Sequence, residues 1–204
     1  MNINLQEIYN RFAAVYESNR DLFDVSEIFN QFYEELGADK GHLLDLGCGA
    51  GEPFARWFIE RGWQVTGVDF SSQMLEIATR TVPKMKTVAG DMTEVNFPAE
   101  SFDAVIAVYS LFHVPREKHP ALFQNIQRWL RPGGKVLFTY ATQHYTGQPV
   151  FDGTKEFMGE HLFYSHDEPA VLQQHLVQAG LKVTALDEHE IGGETFLWVT
   201  AEKV

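Results

Sequence analysis

The sequence predicts an α/β fold, a doubly wound, mostly parallel sheet of seven strands with helices on both faces. Three observations carry this. Short apolar runs alternate with amphipathic helical stretches through most of the chain. The first of these runs, His42 to Leu46, leads into the turn Gly47-Cys48-Gly49-Ala50-Gly51 and then into a helical pattern. The last two runs are separated by Gly192-Gly193, a pair suited to a tight hairpin.

Taken in order, residues 4–17 form a predicted helix with Leu5, Ile8, Tyr9, Phe12, Val15 and Tyr16 on one broad face. A second helix spans 25–36, with Asp24 as N-cap and Gly37 as stop. Strands follow at 42–46, 64–68, 85–89, 102–108, 134–140, 181–187 and 195–201. The helices between them fall at 52–61, 71–80, 117–130 and 167–179, with Ser165 or Asp167 capping the last. Pro53 suits a first helical turn. Residues 141–166 stand outside this rhythm. They follow the fifth core strand, so they start at the carboxyl edge of the sheet, where open α/β folds bind ligands. The 204 residues divide as one domain: N-terminal helices or lid (1–37), cofactor-binding core (38–141), substrate-covering insert (142–166), and C-terminal helix with hairpin (167–204).

The segment from His42 to Phe70 is the main functional signal. Glycines at alternate positions let a ligand approach the backbone with no Cβ in the way. Asp69 closes the second strand about 20 residues beyond the turn, the separation expected of an acid that accepts hydrogen bonds from ribose hydroxyls. Three readings compete. A turn built only for packing leaves Asp69 unexplained. A dinucleotide site needs G-x-G-x-x-G, but the third position holds Glu52 or Phe54, depending on register. Glu52 would also face a pyrophosphate at the helix start. S-adenosylmethionine has adenosine without phosphates, and Asp45 before the first glycine suits its cationic end. No Gly-Lys-Ser/Thr follows the glycines, which excludes a P-loop.

LLDLGCGAG with VTGVDFSSQML resembles the first two motifs of the class I S-adenosylmethionine-dependent methyltransferases. VAGDM (88–92), SFDAVIAVYSLFHV (101–114), LRPGGKVLFTY (130–140) and the final AGLKVTALDE and GGETFLWVTAEK resemble later motifs in the same order. The combination further resembles a group of small bacterial methyltransferases. The resemblance implies a Rossmann-like fold whose seventh strand is antiparallel, with an N-terminal helical lid. It also implies S-adenosylmethionine as cofactor. In the family the glycine turn lies against the methionyl part, the acid matching Asp69 holds the ribose, and the acid matching Asp91 meets the adenine amino group beside Met92. The implied cofactor-binding set is Asp45, Gly47, Cys48, Gly49, Asp69, Phe70, Met74, Asp91, Met92, Tyr109 and Tyr16.

The expected activity is direct displacement of the sulfonium methyl by an N, O or S atom of a small, flat or apolar acceptor. Aromatic density suggests the acceptor wall: Tyr109, Phe112 and His113; Tyr140, His144 and Tyr145 with Phe157, His161, Phe163, Tyr164 and His166; and Tyr9, Phe12 and Tyr16 on the lid. His113, His166 and Tyr109 are the catalytic candidates. His113 is the preferred general base because a histidine near its ordinary pKa accepts a proton at pH 7.

Composition narrows the partners. A formal net charge of -12 offers no basic footprint for nucleic acid or an anionic membrane; Lys84/Lys86 and Arg128/Arg131 are short surface pairs. No run of 18 apolar residues suggests a span, and the first residues lack a secretory pattern. The single Cys48 fits a reducing cytosol, with small size as its simplest role. The histidine spacings do not suggest a metal site. The expectation is therefore a cytoplasmic enzyme, monomer or homodimer, taking a small-molecule acceptor and binding neither nucleic acid nor membrane. The alternatives are a protein or peptide methyltransferase and an inactive adenosylmethionine-binding partner protein. An NAD-dependent dehydrogenase stands further out.

Overall fold

A computed structural model describes residues 5–19 (backbone only at 12 and 14–19), 24–37, 39–157 and 159–204. The chain runs α1 (Leu5–Asn19), α2 (Ser26–Leu36), β1 (His42–Leu46), α3 (Phe54–Glu60), β2 (Gln64–Asp69), α4 (Ser72–Thr81), β3 (Lys86–Ala89) and β4 (Phe102–Ala107). Two short 3-10 turns, Leu111–His113 and Arg116–Lys118, lead to α5 (His119–Trp129). Then come β5 (Leu130–Tyr140), α6 (Gln143–Thr146), β6 (Phe151–Phe157), β7 (Glu160–His166), α7 (Pro169–Gln178), β8 (Leu181–Ile191) and β9 (Glu194–Lys203). Among the described residues no helix is long and apolar enough to cross a membrane.

The main sheet has seven strands in the order β3-β2-β1-β4-β5-β9-β8. Strands β1 to β5 pair in parallel, and β9 runs antiparallel to both β5 and β8. This is the predicted doubly wound fold. Chain progression reverses between β1 and β4, so a crevice opens at their carboxyl ends.

Burial explains the apolar runs. On one face, α5 and α7 pack Leu122, Phe123, Ile126, Trp129, Leu172 and Leu176 against β4, β5 and β9. On the other, Phe29, Phe32, Ala55, Phe58, Leu75 and Ala78 of α2 to α4 cover β1, β2 and the opposite side of β4. A sheet buried on both faces needs continuous rather than alternating hydrophobicity, as HLLDL and FDAVIA show.

Several local expectations change. Gly37 ends α2 at φ 61°, as predicted, but Val25 rather than Asp24 holds the N-cap position; Asp24 Oδ1 accepts the Ser26 N–H at 3.0 Å from one residue further out. The helix after the glycine turn starts at Phe54, with Pro53 just before it. The segment at 141–166 is not irregular. It holds α6 and a separate antiparallel hairpin, β6–β7. Along β6 every second residue is exposed, the period of a half-covered strand, and the glycine within the run obscures it in the sequence. Ser165 and Asp167 do not cap α7, whose N-cap position is Glu168. Both instead fasten the hairpin. Arg116 pairs with Asp152 at 2.5 Å and Asp167 at 3.0 Å, while Ser165 Oγ accepts the Arg116 backbone N–H at 2.8 Å.

Candidate functional site

The site begins at the switch point. Gly47 and Cys48 donate their backbone N–H groups to Val68 O at 2.8 and 3.0 Å, which folds the turn across the end of β2. Gly49 has φ 50°, and a Cβ there would approach only Met74 Sδ, at 4.0 Å. Open space therefore lies above it. The Gly49 N–H points to Asp69 Oδ2 at 2.9 Å, and the Ser71 N–H reaches Asp69 Oδ1 at 2.8 Å. Asp69 is thus locked in orientation at the cleft, with a lone pair on each oxygen still available. Burial raises its pKa, against the pull of the backbone N–H groups of Ser71, Gly49 and Phe70.

Asp45 is 2% exposed at the end of β1, and its Oδ2 has no hydrogen-bond partner among the described residues. Burial, reinforced by the nearby Asp69 carboxylate, raises its pKa to about 8. An orphaned acidic oxygen beside the glycine turn suits a cationic guest. Cys48 is buried, and burial together with Asp45 and Asp69 holds its thiol well above the usual range. That environment disfavours a nucleophilic thiolate.

Two adjoining cavities fill the crevice. Gly47, Cys48, Gly49, Asp69, Phe70, Met74, Met92, Tyr109 and His113 line the first. The second continues past Phe70, Met92 and His113 to Asp91 and the hairpin. One Asp91 oxygen accepts the Thr93 N–H at 2.7 Å. The expected cofactor set is therefore brought together, apart from Tyr16 and from Asp45, which lies beneath the cleft rather than on its wall. For Tyr16 only the backbone in α1 is described; its side chain and that of Phe12 lie outside the described residues.

Helix α1 closes over this cleft through contacts that sequence reasoning missed. Gln6 Nε2 donates to Phe70 O at 2.7 Å, and Ser71 Oγ donates to Asn10 Oδ1 at 2.7 Å. These two residues are four apart, on one helical face, and Tyr9 meets the edge of Phe70 at 5.8 Å. Glu52 lines the same cavity and is ion-paired with Arg56. Ser110 was also missed. Its hydroxyl donates to Leu46 O at 2.6 Å and joins the ends of β4 and β1.

Tyr109 stands at φ 54°, a left-handed conformation rare for a bulky residue, with its N–H on Thr139 Oγ1 at 2.6 Å. This turns its ring toward the cavities. His113 Nδ1 lies 2.6 Å from Phe163 O, so Nδ1 carries the hydrogen. Nε2 is then the acceptor, and the Tyr9 hydroxyl donates to it at 2.8 Å. Burial lowers the His113 pKa to about 4, against the opposing pull of the Phe163 carbonyl. The expectation of a near-ordinary pKa is corrected here. The ring is a neutral hydrogen-bond acceptor at pH 7 and a weak proton base.

Phe163 lines the second cavity, whereas four other candidates lie apart from the cleft. His166 is fully buried, bonded to Thr146 Oγ1 at 2.7 Å and facing Asp167 O. Tyr140 is a core residue whose hydroxyl accepts the Asp167 N–H at 2.9 Å. His144 sits outside, 3.3 Å from Glu188, and His161 lies exposed on β7. Sequence position alone could not separate them, because alternate residues of a strand face opposite ways.

The family described as "Methyltransferase domain" matches residues 43–134. The Bacillus subtilis (strain 168) protein YqeM, named as a methyltransferase, is 29% identical over 77% of this chain and 65% of its own length. Demethylmenaquinone methyltransferase of Staphylococcus aureus (strain JH9) is 33% identical over 54% of this chain and 47% of its own. The chain thus spans less than two thirds of these relatives. The Burkholderia thailandensis 1,6-didemethyltoxoflavin-N1-methyltransferase, solved with 1,6-didemethyltoxoflavin and S-adenosylhomocysteine, superposes with a TM-score of 0.71 at 21% identity. It covers 97% of this chain and 87% of its own.

Proposed function

The chain belongs to the class I S-adenosylmethionine-dependent methyltransferases, and on that premise we propose that it transfers the donor's methyl group to a small, flat or apolar acceptor by direct displacement. One observation carries the proposal: Gly49 leaves open space beside an Asp69 carboxylate whose two oxygens are fixed by backbone N–H groups. When bound, the donor supplies a methyl group activated by the positive sulfur to which it is attached.

Each residue then has a task. Asp69 accepts hydrogen bonds from the ribose hydroxyls through its remaining lone pairs. Asp91 receives the adenine amino group, with Phe70 and Met92 as apolar walls. Asp45 balances the cationic end of the donor, directly or through water. Helix α1, held by Gln6 and Asn10, covers the cleft and excludes water, which strengthens every charge interaction inside. Tyr109, His113 and Tyr9 form the wall that the acceptor approaches. Neutral His113 acts through Tyr9: its Nε2 accepts the Tyr9 hydroxyl hydrogen and so orients the Tyr9 oxygen toward the acceptor. Its low pKa favours acceptors that shed their own proton readily. The net charge of -12 favours a small-molecule acceptor over nucleic acid. The relatives named above for demethylmenaquinone and 1,6-didemethyltoxoflavin also act on small molecules.

Thermal unfolding with added ligands tests the donor. S-adenosylmethionine raises the Tm and NAD does not. Asp69→Ala abolishes the rise; a variant that binds as well as the wild type would refute the ribose role. A screen of cell extract with isotopically labelled donor identifies the acceptor. With that acceptor in hand, His113→Ala leaves donor affinity nearly unchanged and slows turnover; unchanged turnover removes His113 from the reaction.

A further inference from the structure

A third, small cavity lies behind the acceptor wall. It shares Tyr9, Tyr109 and His113 with the cofactor cleft and continues beneath the β6–β7 hairpin. Its sides are aromatic. Phe112 stacks between Phe196, with centroids 4.8 Å apart, and Tyr164, at 5.2 Å, and Tyr109 meets the edge of Phe196 at 5.7 Å. Among the described residues one carboxyl lines it, that of Glu194 at the start of β9. Glu194 Oε1 accepts the Tyr145 hydroxyl at 3.0 Å. Its other oxygen has no hydrogen bond, and no cationic group comes within 4 Å of it, among the described residues. Lys155, the nearby cation, is bonded to Tyr145 O and lies 4.2 Å from the centre of the Tyr145 ring.

Resting on the methyl-transfer reading of the neighbouring cleft, we propose that this aromatic pocket binds a protonated amine of the methyl acceptor, with Glu194 as counter-ion. The acceptor is therefore a small amine, cationic at neutral pH, that enters with its charged end toward Glu194. The atom to be methylated stays at the wall shared by Tyr9, Tyr109 and His113.

The chemistry of the lining selects this class. A wholly apolar guest would strip water from the free Glu194 oxygen and give nothing in return. An anionic guest would meet a like charge in a poorly solvated place. A cation gains the charge of the carboxylate in a pocket walled by aromatic rings. Lys155 over Tyr145 shows a ring of this cluster already accepting a cation. Burial pushes the Glu194 carboxyl up, while the Tyr145 hydroxyl and Lys155 pull it down; a bound ammonium adds to the downward pull.

The test uses the full chain saturated with S-adenosylhomocysteine. Benzylammonium and benzyl alcohol, nearly equal in shape, are titrated at pH 7 by calorimetry. Benzylammonium binds about tenfold more tightly, the scale of a desolvated cation on aromatic faces. Glu194→Gln removes that preference and leaves S-adenosylhomocysteine affinity unchanged. Equal affinities in the wild type overturn the proposal, as does a preference that survives in Glu194→Gln. The wild-type comparison needs no variant, so it decides even if Glu194→Gln fails to fold. A wild type that does not bind S-adenosylhomocysteine overturns instead the donor reading beneath the proposal.

Discussion

A methyl group placed on Gly47 would lie 2.3 Å from Ser110 Cβ, whereas one on Gly49 would meet nothing closer than Met74 Sδ at 4.0 Å. The two glycines therefore serve different ends. Gly47 lets the turn pack on the end of β4, and Gly49 leaves room for a ligand. Both have positive φ, 79° and 50°, so alanine strains either backbone. Gly47→Ala is expected to destabilise the free protein by about 2 kcal/mol or more, because Ser110 must also move. That lowers the Tm by roughly 4–8 °C in a chain of this size. Gly49→Ala is expected to cost about 1 kcal/mol in stability and to weaken S-adenosylhomocysteine binding more strongly. Paired thermal unfolding and calorimetry on the two variants check this. A Gly49→Ala variant with wild-type affinity would show that the space above it is not used.

The β6–β7 hairpin roofs the acceptor side and is tied down at Arg116. That guanidinium holds Asp152 and Asp167, and the side chain of Asp167 is only 11% exposed. Arg116→Ala leaves Asp167 poorly solvated and unpaired, at a cost of about 1–2 kcal/mol, since the arginine itself is partly in water. Its expected kinetic signature is a several-fold rise in KM for the acceptor, with donor affinity unchanged. Equal rises for both substrates would show that the hairpin supports the whole cleft. The order of helices and strands was legible because apolar periodicity is local. So were the residues nearest the glycine turn, because Gly47, Gly49 and Asp69 are tied to one another over a short stretch of chain. The hairpin was not, because Gly153 and the charged residues of β6 hide a period of two. Nor were Asn10 against Ser71, or Glu194 against Tyr145. These meet across 61 and 49 residues, and pairing at such separations follows only from the assembled topology.

Over the whole molecule, buried groups make stability depend on pH in two opposite ways. His113 and His119 are held neutral, with pKa values near 4 against an ordinary 6.5. The unfolded chain binds their protons first, so their contribution is complete above pH 6.5 and is lost as the pH falls toward 4. Asp45 is raised to about 8 from 3.8. Its contribution is complete at low pH and is lost as the pH rises from 3.8 through 8. The free protein should therefore be most stable at roughly pH 6–7. Asp45→Asn should flatten the alkaline side of a Tm profile; an unchanged slope between pH 6.5 and 8.5 would place the cause elsewhere. The strand order carries a consequence for synthesis. In the sheet, β8 joins the rest only through β9, yet β9 follows it in the chain. Until β9 is in place, β5 presents an unpaired backbone edge, and the apolar side chains of β5 lack their cover. A nascent chain of this protein passes through an adhesive stage that ends only when β9 takes its place between β5 and β8.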